Sequence, residues 1–300
     1  MVGYHGPMST PAHKPLWLRL APYVFLALWS GGFAVAKLGL RGIEPLTLLA
    51  LRYLAVVALL APVFLVLRPA LPRRAADWGH IAMVAVLIQV VYFSLAFFAM
   101  QCLSAGAMAI IVCLQPILVG LVAPHFVGEK VGGLRWLGLG LGLLGAATVI
   151  IARNHVAVES PAGIAFAVAA LFAMTAGTLW EKRFGVSQHP VTQNLIAYAV
   201  AAAITLPWAA LTETMQVDWT WPLILVMAYL IIGNSIISMT LLLAMIRHGE
   251  VSRVSSLFYL VPPLSALIAW PVLGEAMPPL AWAGFALAAL GVALAARTGR

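Results

Sequence analysis

The 300-residue sequence predicts an all-α integral membrane protein, with ten transmembrane helices arranged as two inverted five-helix repeats around a central cavity. Three observations carry this. Hydrophobic residues make up 63% of the chain and charged residues 9%, against roughly 25% charged in soluble domains, and the mean hydropathy is +1.03, so most side chains call for an apolar solvent. Successive apolar windows are long enough to cross a hydrocarbon core of roughly 30 Å. The second half of the chain also repeats the Pro, Gly and Trp pattern of the first.

The windows run over roughly residues 20–40, 46–67, 80–101, 104–125, 134–152, 162–180, 191–212, 222–245, 254–273 and 279–296. The first is longer than a signal-peptide core, ends at Lys37 and Arg41, and lacks a small-residue cleavage site, so it is expected to remain as helix 1. Helix 1 carries Trp29 and Ser30 at mid-depth and Lys37 near its outer end, where the long stem snorkels. Helix 2 carries Arg52. Helix 3 holds Gln89 and Tyr92, and helix 4 holds Gln115 beside Pro116. Helix 5, with Gly138, Gly142 and Gly145, and helix 10, with Gly284, Ala288 and Gly291, present small faces for close packing, against either the same chain or a second copy. Helix 8 holds Asn234 and Ser238, and helix 9 holds Tyr259, Pro262 and Pro263.

The formal charge of +8 comes from bases spread thinly along the chain, which fits a membrane protein and speaks against nucleic acid. With the N-terminus cytoplasmic, inside segments contain Lys14, Arg19, Arg68, Arg73, Arg74, Lys130, Arg135, Lys182, Arg183, Arg247, Arg253, Arg297 and Arg300, and outside loops only Arg41 and Arg153. That asymmetry predicts an inner-membrane protein with both termini cytoplasmic. Tryptophans agree with the map: all but Trp29 fall near predicted helix ends. Cys102 and Cys113 are too few for a disulfide framework and are expected to be free, buried thiols.

Pro45 and Pro62 match Pro190 and Pro207 at an offset of 145 residues, while Pro116, Gly128, Glu129, Trp136, Gly138 and Gly145 match Pro262, Gly274, Glu275, Trp282, Gly284 and Gly291 at 146. Five spans per copy put the second copy into the bilayer upside down, and inverted repeats are a device of transporters, in which two opposed bundles expose one site to either face in turn. The expected organisation is a cytoplasmic tail over 1–19, a first repeat over 20–153 and a second over 154–300.

The phrases FLALWSGGFAVAKLGL in helix 1 and PLTLLALRYL in helix 2, with the paired blocks LQPILVGLVAPHFVGEK and LVPPLSALIAWPVLGEA, resemble the EamA-type members of the drug/metabolite transporter superfamily. Within it the chain is most similar to the YddG-type exporters of aromatic amino acids. The resemblance implies a basket of ten helices with a central cavity and outward movement of aromatic and other neutral amino acids; a drug or another metabolite is the alternative cargo.

Candidate site residues follow from the cost of polar groups in lipid. Gln89 with Tyr92 and Asn234 with Ser238 share helix faces by i, i+3 or i, i+4 spacing, and Gln89 and Asn234 are mates under the 145-residue offset. Gln115, Trp29, Ser30 and Tyr259 complete the set. These groups either line a cavity or bond helix to helix. Arg52, buried in a span, requires polar partners or a substrate carboxylate. Pro116, Pro262 and Pro263 remove backbone donors, freeing the carbonyls of Val112, Phe258 and Tyr259, and are candidate hinges or static bends. All acids and histidines fall in loops, tails or end turns, which disfavours a proton relay. No enzyme activity, cofactor or metal is expected, only a small-molecule substrate and the bilayer.

Overall fold

A computed structural model describes residues 16–103, 108, 111–153, 160–249, 251–264, 267 and 278–297. Among them the secondary structure is helical, with one isolated bridge between Ile43 and Val217. The helices are α1 (Leu16–Gly39), α2 (Pro45–Leu67), α3 (Ala75–Cys102), α4 (Gln115–Phe126), α5 (Gly133–Arg153), α6 (Pro161–Phe184), α7 (Pro190–Thr212), α8 (Trp221–His248), α9 (Val251–Ser255) and α10 (Pro279–Arg297). Proline occupies the first turn of α2, α4, α6, α7 and α8, where its missing N–H would have had no partner and its fixed φ suits a helix. Ser160 and Thr220 cap α6 and α8 by accepting the N–H groups of Gly163 and Leu223. Gly128, at φ 71°, makes the left-handed turn after α4.

Seven of these helices are long and apolar enough to cross a membrane; the shorter apolar ones are Gln115–Phe126 and Gly133–Val149. Leu65, Val66, Phe172, Leu211 and Leu225 are exposed on the outside of the bundle, while Arg52, Gln89, Gln115, Asn234 and Ser238 are buried within it. An apolar exterior around polar interior groups is what a bilayer solvates, and the chain is a multi-pass membrane protein.

Three pairings build the bundle. α5 runs antiparallel to α10 through glycines: a Cβ on Gly145 would fall 2.7 Å from the carbonyl oxygen of Gly284, and one on Gly291 would fall 2.7 Å from that of Gly138. The small faces therefore meet within one chain. α2 lies antiparallel to α7, with Glu213 at the C-terminus of α7 bonding the first turn of α2 and Thr192 at the start of α7 donating to the carbonyl of Ala70. α3 packs along α6.

Four expectations are corrected. The fourth window is not continuous, since the helical run breaks into a turn at Cys113 and Leu114 before α4 begins. Pro116 thus lies in the first turn of a new helix, where its missing donor breaks no helical bond. In the ninth window, α9 tightens into a 3-10 turn over Ser256–Leu260, and the Phe258 carbonyl accepts the N–H of Val261 instead of being released by Pro262. Cys113 is buried, but Cys102 is exposed; both thiols are free. Lys37 does not simply snorkel: its Nζ donates to the carbonyl of Leu103 at 3.3 Å, tying α1 to the end of α3. Gly274 and Glu275, which carry part of the sequence repeat, and Trp270, which falls near a predicted helix end, lie outside the described residues.

Candidate functional site

Arg52 organises the interior. It is fully buried on α2, and its Nε donates to Ser235 Oγ at 2.5 Å and its Nη2 to Asn234 Oδ1 at 2.9 Å. The guanidinium plane lies 4.6 Å from the centroid of Phe93. Its Nη1 has no hydrogen-bond partner, and its described contacts are all with neutral groups. A buried arginine held by an amide, a hydroxyl and aromatic faces keeps a positive field that no carboxylate among its described contacts cancels.

Beside it lies a cavity lined by Trp29, Gly32, Ala36, Arg52, Phe93, Phe97, Leu230 and Asn234. Its free volume is about 10 Å³, the room of about one water molecule. Anything larger than a water molecule therefore enters only if the surrounding helices separate. Trp29, with an unpartnered Nε1, belongs to an aromatic group in which Phe25, Phe93 and Phe258 lie 5.3, 6.1 and 5.7 Å from it between centroids.

The backbone at the site departs from α geometry. α3 is π-helical over Ala85–Tyr92 and α8 over Tyr229–Ser238, and these segments hold Gln89, Tyr92, Asn234, Ser235 and Ser238. Bonds from i to i+5 widen the turn and rotate side chains relative to the α spacing. Ser235, adjacent to Asn234 in the π-helical segment, joins Asn234 at Arg52.

Gln89 does not share the arginine cavity. It lines a second one, also about 10 Å³, with Gln193, Asn194, Ile88 and Met239. The two are linked through Tyr198, whose hydroxyl receives Gln89 Nε2 at 3.3 Å and donates to the Ser235 carbonyl at 2.8 Å. Tyr92 is buried against Phe93 at 4.9 Å. Ser30, Gln115 and Ser238 are buried but line neither cavity. Tyr259 lies apart, in a cluster with Cys113, Leu139, Ala146 and Val292, its ring against Gly142. Pro262 and Pro263 follow the 3-10 turn of α9.

Tyr53, Tyr198, Ser235, Phe93 and Phe97 were missed by the sequence reading. Tyr53 and Tyr198 stand at the same 145-residue offset as Gln89 and Asn234, a signal that could have found them; nothing in the sequence marks Phe93 among twelve phenylalanines.

Polar locks close both ends of the bundle. At one end, Glu213 accepts from the backbone N–H groups of Leu46 and Thr47 and from Thr47 Oγ1, at 2.7 to 2.8 Å, while Glu44 accepts from Thr214 N, Thr214 Oγ1 and Met215 N. At the other, buried Glu181 pairs with Arg247 at 3.0 Å, and Arg247 also donates to Gln193 and the Val186 carbonyl. Lys182 donates to the carbonyl of Gly249. Among the described residues no group of three or more His, Cys, Asp or Glu could hold a metal ion.

A model of the EamA-like transporter family matches residues 20–151 and again 161–297. An uncharacterized transporter, YvbV, of Bacillus subtilis is 24% identical over 89% of this chain and 87% of its own. A probable terminal-alkyne amino-acid exporter of Streptantibioticus cattleyicolor is 26% identical over 94% of this chain and 93% of its own. A probable amino-acid metabolite efflux pump of Escherichia coli is 24% identical, with 89% and 90% covered. One crystal structure shares the fold at a TM-score of 0.77 and 21% identity, over 93% of this chain and 96% of that one.

Proposed function

Given that the chain belongs to the EamA-like transporter family, we propose that it is a secondary transporter exporting small zwitterionic metabolites, aromatic and other neutral amino acids foremost, across the cell inner membrane by alternating access. The single observation that carries this reading is the buried Arg52, with Asn234 and aromatic walls around it, at a cavity inside a lipid-facing bundle. Two relatives are described as amino-acid exporters or efflux pumps, which supports the cargo class. Trp29, Arg52 and Asn234 would form the first contacts, and Gln89, Tyr92, Gln115, Ser30, Ser238 and Tyr259 would meet the substrate as the helices part.

The organisation we propose is ten spans in two inverted repeats, 20–153 and 154–300, with both termini cytoplasmic. The reciprocal glycine contacts of α5 with α10 support it: Gly138 against Gly291 and Gly284 against Gly145 exchange places under the repeat offset. So does the pair of π-helical segments at equivalent positions in α3 and α8. Inversion lets one repeat open while the other closes, and Pro116, Pro262 and Pro263 would act as hinges.

Among the described residues no carboxylate lines the arginine cavity, which supports facilitated diffusion down the substrate gradient. Efflux of several labelled amino acids from proteoliposomes, with and without a pH gradient, tests the reading. Flux without the gradient is expected; a strict requirement for it would reject uniport. The apolar walls of Phe93, Phe97 and Leu230 also suit a drug or other hydrophobic metabolite, and a carrier of that kind would be uninhibited by an amino-acid panel.

A further inference from the structure

The polar side chains on the wall of the arginine cavity point to a narrower class of occupant. They are Trp29, Arg52 and Asn234. Trp29 Nε1 and Arg52 Nη1 are buried donors with no partner. The one side-chain acceptor among these described residues, Asn234 Oδ1, gives one of its two lone pairs to Arg52 Nη2 at 2.9 Å, so any further donor there would sit beside the guanidinium, and the amide nitrogen of Asn234 lies against Gly32. Among the described residues no Asp or Glu lines the cavity.

Such a wall suits a group that only accepts hydrogen bonds. A carboxylate does so, and its charge neutralises a guanidinium that otherwise has none beside it. An ammonium carries three donors and no acceptor; here it would be stripped of water next to a second cation. The face of Phe93 already holds Arg52, and an ammonium over the rings of Trp29 or Phe97 would still share this small cavity with the guanidinium.

We propose that the site selects monoanionic carboxylates with an apolar or aromatic body, N-acylated amino acids and simple aryl or alkyl carboxylic acids, at least as strongly as the free zwitterion. The inference rests on the reading of this cavity as the transport site for amino-acid-like metabolites. Arg52 receives the carboxylate, Trp29 contributes a second donor, and the rings of Trp29 and Phe97 cover the apolar body.

The test uses the full chain in proteoliposomes, with labelled L-phenylalanine and labelled N-acetyl-L-phenylalanine measured separately and competed by 3-phenylpropionate and phenethylamine. Both labelled compounds are expected to cross, the acetylated one as fast or faster. Phenylpropionate should compete, and phenethylamine should not. Phenylalanine flux without N-acetylphenylalanine flux, or effective competition by phenethylamine, overturns the inference while leaving the transporter reading intact. If neither labelled compound moves, that reading fails and the inference falls with it. Arg52→Gln should lower the apparent affinity for phenylpropionate by about tenfold or more, and Arg52→Lys by less, since it keeps the charge but loses the fork. Equal behaviour of these two variants, each shown to be folded by its unfolding midpoint, also overturns it.

Discussion

Tyr53 and Tyr198 face each other with ring centroids 5.5 Å apart, and each hydroxyl donates to a backbone carbonyl of a π-helical segment, Tyr53 to Gln89 at 2.5 Å and Tyr198 to Ser235 at 2.8 Å. The two phenols fasten α2 to α3 and α7 to α8, and so fix the backbone from which Gln89 and Asn234 project. Tyr53→Phe and Tyr198→Phe each leave a buried carbonyl without this donor and should cost about 1–3 kcal/mol. Unfolding midpoints in detergent read the loss; two unchanged midpoints would mean that the π segments do not need these bonds.

Glu213 caps the first turn of α2 from the far end of α7. Charge and geometry both favour it, since a carboxylate at a helix N-terminus satisfies orphan N–H groups and meets the positive end of the dipole. Glu213→Ala is expected to lose about 1–2 kcal/mol, with Glu213→Gln between it and the native chain. A detergent melt in which Glu213→Ala matches the native protein would remove the cap from the account.

Glu181 is buried and paired with Arg247, and removing one partner strands the other. Arg247→Met should destabilise by about 3–5 kcal/mol. Adding Glu181→Gln should recover part of that, because the uncompensated charge is then gone. A double variant less stable than the single one would show that the pair is not coupled in this way.

Close approach of α5 and α10 leaves no room for a side chain at Gly291, where an added Cβ would lie 2.6 Å from Gly142 Cα, whereas one on Gly140 would meet nothing within 4 Å. Gly291→Ala should destabilise by about 1–3 kcal/mol, and Gly140→Ala should be neutral or stabilising by up to about 1 kcal/mol. Similar melts for the two would contradict the antiparallel glycine contact.

Pro116 opens α4 just after a break in the helix. If that break is a hinge, Pro116→Ala, by allowing the helix to close over Cys113 and Leu114, should slow transport several-fold with little change in substrate affinity. Unaltered turnover would make the break a static feature.

The membrane-spanning helices were legible because apolar runs of the required length are a composition signal, and the proline or cap residue that opens most of them is local. Buried Arg52 was legible too, since a charge in an apolar run stands out whatever it touches. Its partners were not. Ser235 and Phe93 sit in or beside π-helical turns whose extra residue per turn has no mark in the sequence, and Gln89 and Asn234, equivalent by repeat offset, line different cavities, which spacing along one chain does not reveal. Tyr259, an unremarkable neighbour of two prolines, is drawn away to fill the gap above Gly142.

By itself, then, the amino-acid order determined the solvent, the helices and the duplication, because each follows from hydropathy and spacing along one chain. The tertiary structure alone decided which donors surround the arginine, which glycines touch and which carboxylates lock the bundle's ends. Those contacts join residues up to 183 positions apart, and they are selected by backbone geometry and packing that no local pattern encodes.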